Sequence, residues 1–164
     1  LIISPDIDEK NLKDELPVAC AQRLAKNKAL KIQSEQPNSI ILTADTIAFC
    51  GRRIIDKTDN IETAKKYLQL LSGRRHRVVS SIFVTNGDRS ISKSVQTIIN
   101  FKSLKNLEID KYLESKEWIN VAGAYKIRGI AAAFVKSING SYTNVVGLPL
   151  YEVKNMLSYM GYLD

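Results

Sequence analysis

The sequence predicts a mixed α/β domain, and three observations carry that prediction. Segments with apolar residues at helical spacing interleave with short apolar runs and alternations along the chain. Two Asn-Gly pairs, Asn86-Gly87 and Asn139-Gly140, are hairpin signals and imply antiparallel strand pairs. The 164 residues, 45% hydrophobic and 25% charged, suit one domain with a sizeable core. That domain is expected to span residues 1–164, since no repeat or linker divides the chain.

The elements follow in order. Leu1-Ile2-Ile3, ended by Ser4-Pro5, reads as the end of a strand, and the polar, acidic residues 6–16 as a loop. Pro17 suits a first helical turn. Val18, Ala21, Leu24, Ala25, Lys28, Ala29 and Ile32 then share one helical face, on which Lys28 is the odd member. Its stem could pack while its head reaches water, or its head could bind an anion. Residues 39–44 read as a buried strand with Asp45-Thr46 at its end, before a second apolar stretch over 47–50. A carboxylate between apolar segments is costly unless paired, solvated or bound to metal. Residues 51–53 form a turn and Ile54-Ile55 a further strand. Asp59 with Glu62 resembles a capping box, opening a helix with Ile61, Ala64, Leu68 and Leu71 on one face and Gly73 as its stop.

Strands at 78–85 and 90–101 flank Asn86-Gly87, and Ile91, Lys93, Val95, Thr97 and Ile99 share a face of the second. Residues 106–114 predict a helix, 124–138 a loop with strands, and Asn139-Gly140 a second hairpin. Gly147-Leu148-Pro149 leads into a terminal helix with Leu150, Val153, Leu157 and Met160.

Composition narrows the function. A net charge of +7 fits anionic partners in general, but the basic residues are scattered, with one dense run at Arg74-Arg75-His76-Arg77. Without a stacking pattern to accompany the charge, a basic nucleic-acid-binding module is the least supported reading. Cys20 and Cys50 lie far apart, which disfavours a disulfide framework or zinc ribbon and suits a reducing cytoplasm with both as buried hydrophobes. No apolar run approaches a membrane span. His76 is the only histidine, so a histidine zinc site is disfavoured, and neither a G-x-x-x-x-G-K-[ST] loop nor a G-x-G-x-x-G fingerprint occurs.

What remains are carboxylates near loops (Asp6, Asp8, Glu9, Asp45) and cations to oppose them (Lys28, Lys57, Arg75, Arg128). Carboxylates are hard ligands for Mg²⁺ or Mn²⁺, whose shell substrate phosphates complete, while lysine and arginine steady phosphate charge. The inventory fits metal-assisted hydrolysis of a phosphoanhydride.

Five segments then become specific: Ser4-Pro5-Asp6-Ile7-Asp8-Glu9, Ala44-Asp45-Thr46, Leu71-Ser72-Gly73-Arg74-Arg75-His76-Arg77-Val78, Ala122-Gly123-Ala124-Tyr125-Lys126-Ile127-Arg128-Gly129, and Ser141-Tyr142-Thr143-Asn144-Val145-Val146-Gly147-Leu148-Pro149. In that order they resemble the Maf family of nucleoside triphosphate pyrophosphatases over nearly the whole chain. The resemblance implies a cytoplasmic enzyme that cuts a nucleoside triphosphate into monophosphate and pyrophosphate with a divalent cation, Mg²⁺ or Mn²⁺. It implies substrates among nonstandard nucleotides, dTTP, UTP or CTP, and a homodimer. The implied fold is an elongated mixed α/β sheet with flanking helices, in two lobes around a central cleft, like the inosine triphosphate pyrophosphatases.

By resemblance, Asp45 corresponds to the proton acceptor that activates water, and Glu9 with Asp45 to the groups that hold the cation. Lys28 and Lys57 correspond to phosphate-binding lysines, and Thr46 and Arg128 to positions tied to base selection. Some residues depart from the family pattern. Thr58 replaces a proline after Lys57, Arg75 a threonine before His76, and Asn120-Val121 an Asp-Lys pair. Arg128 replaces a glutamine of the dTTP/UTP subgroup, and arginine donates only, where glutamine also accepts. The family's opening strand and Ser-x-Ser-Pro-Arg-Arg phosphate loop have no counterpart here, so the domain is expected to be N-terminally truncated. That makes a nucleotide-binding remnant with impaired catalysis the alternative to a working enzyme.

Overall fold

The computed structural model describes residues 1–163. The chain is organised by a five-stranded sheet of β1 (Ile41–Cys50), β2 (Arg53–Ile55), β3 (Arg75–Thr85), β4 (Ser90–Phe101) and β5 (Val135–Asn139), in the order β2-β1-β3-β4-β5. Every pairing is antiparallel. The helices are α1 (Pro17–Glu35), α2 (Ile61–Leu71), α3 (Asn106–Glu114), α4 (Tyr142–Val146) and α5 (Leu150–Tyr159), with 3₁₀ turns at Ala122–Ala124 and Ile130–Phe134. The mixed α/β class read from the sequence is therefore the observed one.

Side chains alternate across the pleat, so the two faces collect different partners. On one face lies α1. Its Cys20, Ala21 and Leu24 pack on Ile47, Phe49 and Val79, and its Ala25, Ala29 and Ile32 on Ile41 and Phe83. Alanines four apart leave little bulk between helix and sheet, which brings Lys28 close to β1. On the other face Ala48, Val78, Ile99 and Phe101 pack against α2 and α3 through Ala64, Leu68, Leu71, Ile109 and Tyr112. Farther along the same face Ile82 and Val84 meet Val153, Met156 and Met160 at α5.

Several expectations are corrected. Residues 41–50 are one unbroken strand, so Asp45-Thr46 sits within β1 rather than at its end; the ladder to β3 runs through Asp45↔Ser81 and Thr46↔Ser80. Leu1-Ile2-Ile3 forms no strand: Leu1 and Ile2 are fully exposed, and only Ile3 rests on the α1–β1 core. The cap of α2 is Asn60, one residue after Asp59, its side chain accepting from the Thr63 amide at 2.9 Å. Strand β3 starts at Arg75, earlier than expected. In α3 the buried residues are Ile109, Tyr112 and Leu113, while Leu107 is exposed. Cys50 is only half-buried.

The second hairpin is replaced by a helix. After Gly140, Ser141 caps α4 by accepting from the Asn144 amide at 3.2 Å, and β5 pairs back with β4 instead of with a following strand.

Candidate active site

Strand β2 pairs only with Ala48–Cys50, so residues 41–47 of β1 have a strand neighbour on the β3 side alone. A cleft follows that open edge. One part, of ≈ 580 Å³, is bounded by residues 8–11, Asp45, Thr46, Lys57 and Ala122. An adjoining part, of ≈ 290 Å³, runs between Lys28, Lys57 and the segment carrying Lys126, Arg128 and Gly147. Together they are large enough to enclose a small ligand.

The acidic loop that forms one wall is irregular but pinned. Arg23 of α1 grips Glu15 at 2.7 Å, and Asn11 donates to Asp56 at 2.9 Å while accepting from the Cys20 thiol at 3.2 Å. The Arg23 guanidinium holds the Glu15 carboxyl well below the usual range, at about 2. These contacts deliver Glu9 to the cleft.

Four alternating charges then line up. Lys28 Nζ lies 2.6 Å from Asp45 Oδ1 and 2.7 Å from Glu9 Oε1, and Lys57 Nζ lies 3.1 Å from Glu9 Oε2. Asp45 is 6% exposed, whereas Glu9 and Lys57 are open to solvent on one side. Burial raises the Asp45 carboxyl above its ordinary value, and the bond to Lys28 opposes only part of that. Burial works against the Lys28 charge, but its bonds to Asp45 and Glu9 outweigh this and raise its pKa. The Lys28 bond lowers Glu9 despite partial desolvation, with Lys57 adding to the effect. Lys28 thus reaches neither bulk water nor an isolated anion: its head is shared between two carboxylates.

Thr46 is Asp45's neighbour but points to the opposite face, where a polar network holds it. Its hydroxyl lies 2.7 Å from Ser80 Oγ and donates to the Gly147 carbonyl at 3.2 Å. Behind it Asn144, fully buried, accepts from the Ser80 amide at 3.0 Å and donates to the Val78 carbonyl at 3.1 Å and to Thr97 Oγ1 at 2.9 Å. Three strands and α4 are tied together at this point.

Arg128 lies on the far wall of the cleft, exposed and outside the charge chain, with no ion pair among the described residues. The structure therefore brings Glu9, Lys28, Asp45 and Lys57 into direct contact, sets Thr46 across the strand from them, and leaves Arg128 opposite. Lys126, Ser80 and Asn144 were not singled out from the sequence. The signal for Ser80 was a hydroxyl pair, Ser80-Ser81, inside an otherwise apolar strand. His76, read as part of a basic run, is 1% exposed; its Nε2 lies 2.8 Å from the Tyr125 hydroxyl, and its Nδ1 is buried without a partner.

Among the described residues no group of three or more His, Cys, Asp or Glu forms a metal cage. Glu9 and Asp45 nonetheless already converge on one positive charge, the Lys28 ammonium. Two hard oxygen donors on one point fit a cation of the Mg²⁺ type, whose remaining ligands are water and phosphate oxygens.

Comparison with known proteins places this site in context. The family profile described as Maf-like protein matches residues 1–160. The dTTP/UTP pyrophosphatase of Wolbachia sp. subsp. Drosophila simulans (strain wRi) is 49% identical over 160 residues, covering 96% of this chain and 81% of that protein. The nucleoside triphosphate pyrophosphatase of Anaplasma phagocytophilum (strain HZ) is 46% identical over 159 residues, 96% of this chain and 82% of that one. The dTTP/UTP pyrophosphatase of Paramagnetospirillum magneticum (strain ATCC 700264 / AMB-1) is 45% identical over 163 residues, 99% of this chain and 86% of that one.

Proposed function

The chain belongs to the Maf-like protein family, and from that premise we propose that it hydrolyses nucleoside triphosphates to the monophosphate and pyrophosphate. The observation that carries the proposal is the nearly buried Asp45 carboxylate at the open edge of β1, 2.6 Å from Lys28, in a cleft that sets carboxylates (Glu9, Asp56) against cations (Lys57, Lys126, Arg128). In the reaction a water oxygen bonds to the α-phosphorus while the bond from that phosphorus to the α–β bridging oxygen breaks. The water loses its proton to Asp45, and pyrophosphate leaves with the bridging oxygen.

Asp45 suits the base role because burial makes it a stronger base than an ordinary aspartate. Lys28 and Lys57 bind the polyphosphate and steady the charge that builds on the leaving pyrophosphate. Glu9 and Asp45 would hold a divalent cation, Mg²⁺ or Mn²⁺, which when bound neutralises phosphate charge. Thr46 and Arg128, on the other side of the strand and cleft, contact the base, and the pyrimidine substrates in the relatives' names make dTTP and UTP the first to assay. No helix among the described residues is long and apolar enough to cross a membrane. The free cysteines Cys20 and Cys50 suit a cytoplasmic setting.

The test is pyrophosphate release from a panel of nucleoside triphosphates with Mg²⁺ or Mn²⁺. Asp45→Asn is expected to lower kcat by about 10²–10⁴-fold. In the wild type, kcat falls on acidification as Asp45 is protonated, and this acid limb is expected to move to lower pH as the divalent cation concentration is raised. Equal rates for the variant and the wild type would remove Asp45 from the mechanism. Nucleotide binding with no release of pyrophosphate would replace the enzyme by a binding protein.

A further inference from the structure

Each inner charge of the Asp45–Lys28–Glu9–Lys57 chain has two opposite neighbours. The Lys28 ammonium bridges two carboxylates at 2.6 and 2.7 Å, and the Glu9 carboxylate bridges two ammonium groups, one oxygen to each, at 2.7 and 3.1 Å. The first arrangement is that of a cation between its carboxylate ligands. The second is that of two phosphate oxygens between two lysines. We propose that Lys28 and Glu9 are internal stand-ins for the two ligands, so that the divalent cation and the polyphosphate each bind weakly alone and strengthen one another. The proposal rests on the function proposed above and adds the coupling between its two ligands.

The physical argument is the fate of the displaced partners. A cation arriving alone takes Glu9 and Asp45 but strips Lys28, whose side chain is only 15% exposed, of both its counter-charges. A polyphosphate arriving alone takes Lys28 and Lys57 but leaves Asp45, 6% exposed, without its cation. Leaving one member of a partly buried pair uncompensated is costly. When both ligands arrive, Lys28 passes from carboxylate to phosphate and the carboxylates pass from ammonium to metal, so no charge is stranded. The parts can make this exchange. Glu9 sits on a segment without helix or strand, and Lys28 has a flexible four-carbon stem on a fixed helix. Coupling of this kind is reciprocal and commonly amounts to about 5–150-fold in affinity.

Two binding measurements test it, neither of which reads hydrolysis. In EDTA, inorganic pyrophosphate titrated calorimetrically is expected to bind Glu9→Gln about tenfold more tightly than the wild type, because the competing carboxylate charge is gone. Without any phosphate, Mn²⁺ followed by the electron paramagnetic resonance of the free ion is expected to bind Lys28→Met about tenfold more tightly than the wild type. Unchanged or weaker pyrophosphate binding by Glu9→Gln overturns the proposal, as does unchanged or weaker Mn²⁺ binding by a folded Lys28→Met. Should Lys28→Met fail to fold, the Glu9 arm decides alone, since Glu9 lies on an exposed loop. Absence of pyrophosphate release from nucleotides counts against the proposed function and leaves both binding comparisons valid.

Discussion

At position 76, on β3, a buried imidazole ring meets the Tyr125 hydroxyl and lies edge-on to Phe101 with ring centroids 4.9 Å apart. Burial lowers its pKa from 6.5 to about 4, so it is neutral at ordinary pH. The folded state resists the proton and the unfolded chain accepts it at the normal value. His76 therefore supports stability fully above about pH 6.5, and that support is lost as the pH falls from there towards about 4. Melting temperatures measured across this window should fall more steeply for the wild type than for His76→Phe, which has no proton to take up. Parallel curves would show that His76 does not carry the dependence. Neighbouring letters gave no hint of this burial, since Arg75 and Arg77 on either side are exposed and only strand alternation turns His76 inward.

Among the elements, the turn at Ala122–Ala124 shows how the cleft wall is set against the sheet. Gly123 adopts φ +76°, and a Cβ there would lie 2.9 Å from Ala48 Cβ on β1. Gly123→Ala should destabilise the protein by about 1–3 kcal/mol in denaturant titrations, through both the positive φ and the overlap. A change within about 0.5 kcal/mol would mean that the turn yields freely. Elements with their own local signals were legible in the sequence: α3 at 106–114 and β4 at 90–101 fall where periodicity and the Asn86-Gly87 turn put them. Elements governed by distant partners were not. The unity of β1 was hidden because a mid-strand aspartate looks prohibitive until Lys28, far away in sequence, neutralises it. The helix α4 was hidden because five residues are too few to be helical alone. Asn144 supplies the missing support from β3 and β4. The candidate site was legible as a set of residue types and motifs, while its alternating contact order and the opposite facing of Thr46 required the folded strand.

For the molecule as a whole, one sheet serves every core cluster, with α1 on one face and α2, α3 and α5 on the other. We propose on this basis that the chain behaves as a single cooperative domain. Trp118, the only tryptophan, is buried with the α2–α3 cluster, on the face of the sheet opposite α1. Its fluorescence and the far-ultraviolet circular dichroism should trace coincident unfolding curves in urea; separated midpoints would divide the chain into two units. The shared sheet has one more effect, which follows from the alternation of Asp45 and Thr46. Consecutive side chains on a strand face away from each other, so the charge chain and the Thr46–Ser80–Asn144 network stand on opposite sides of a single backbone. Under the proposed function, a substrate that satisfies both has to bend around the unpaired border of β1. The strand then measures its guest like a pair of callipers: bare pyrophosphate engages one jaw, a nucleoside the other, and only a molecule carrying both ends spans the gap.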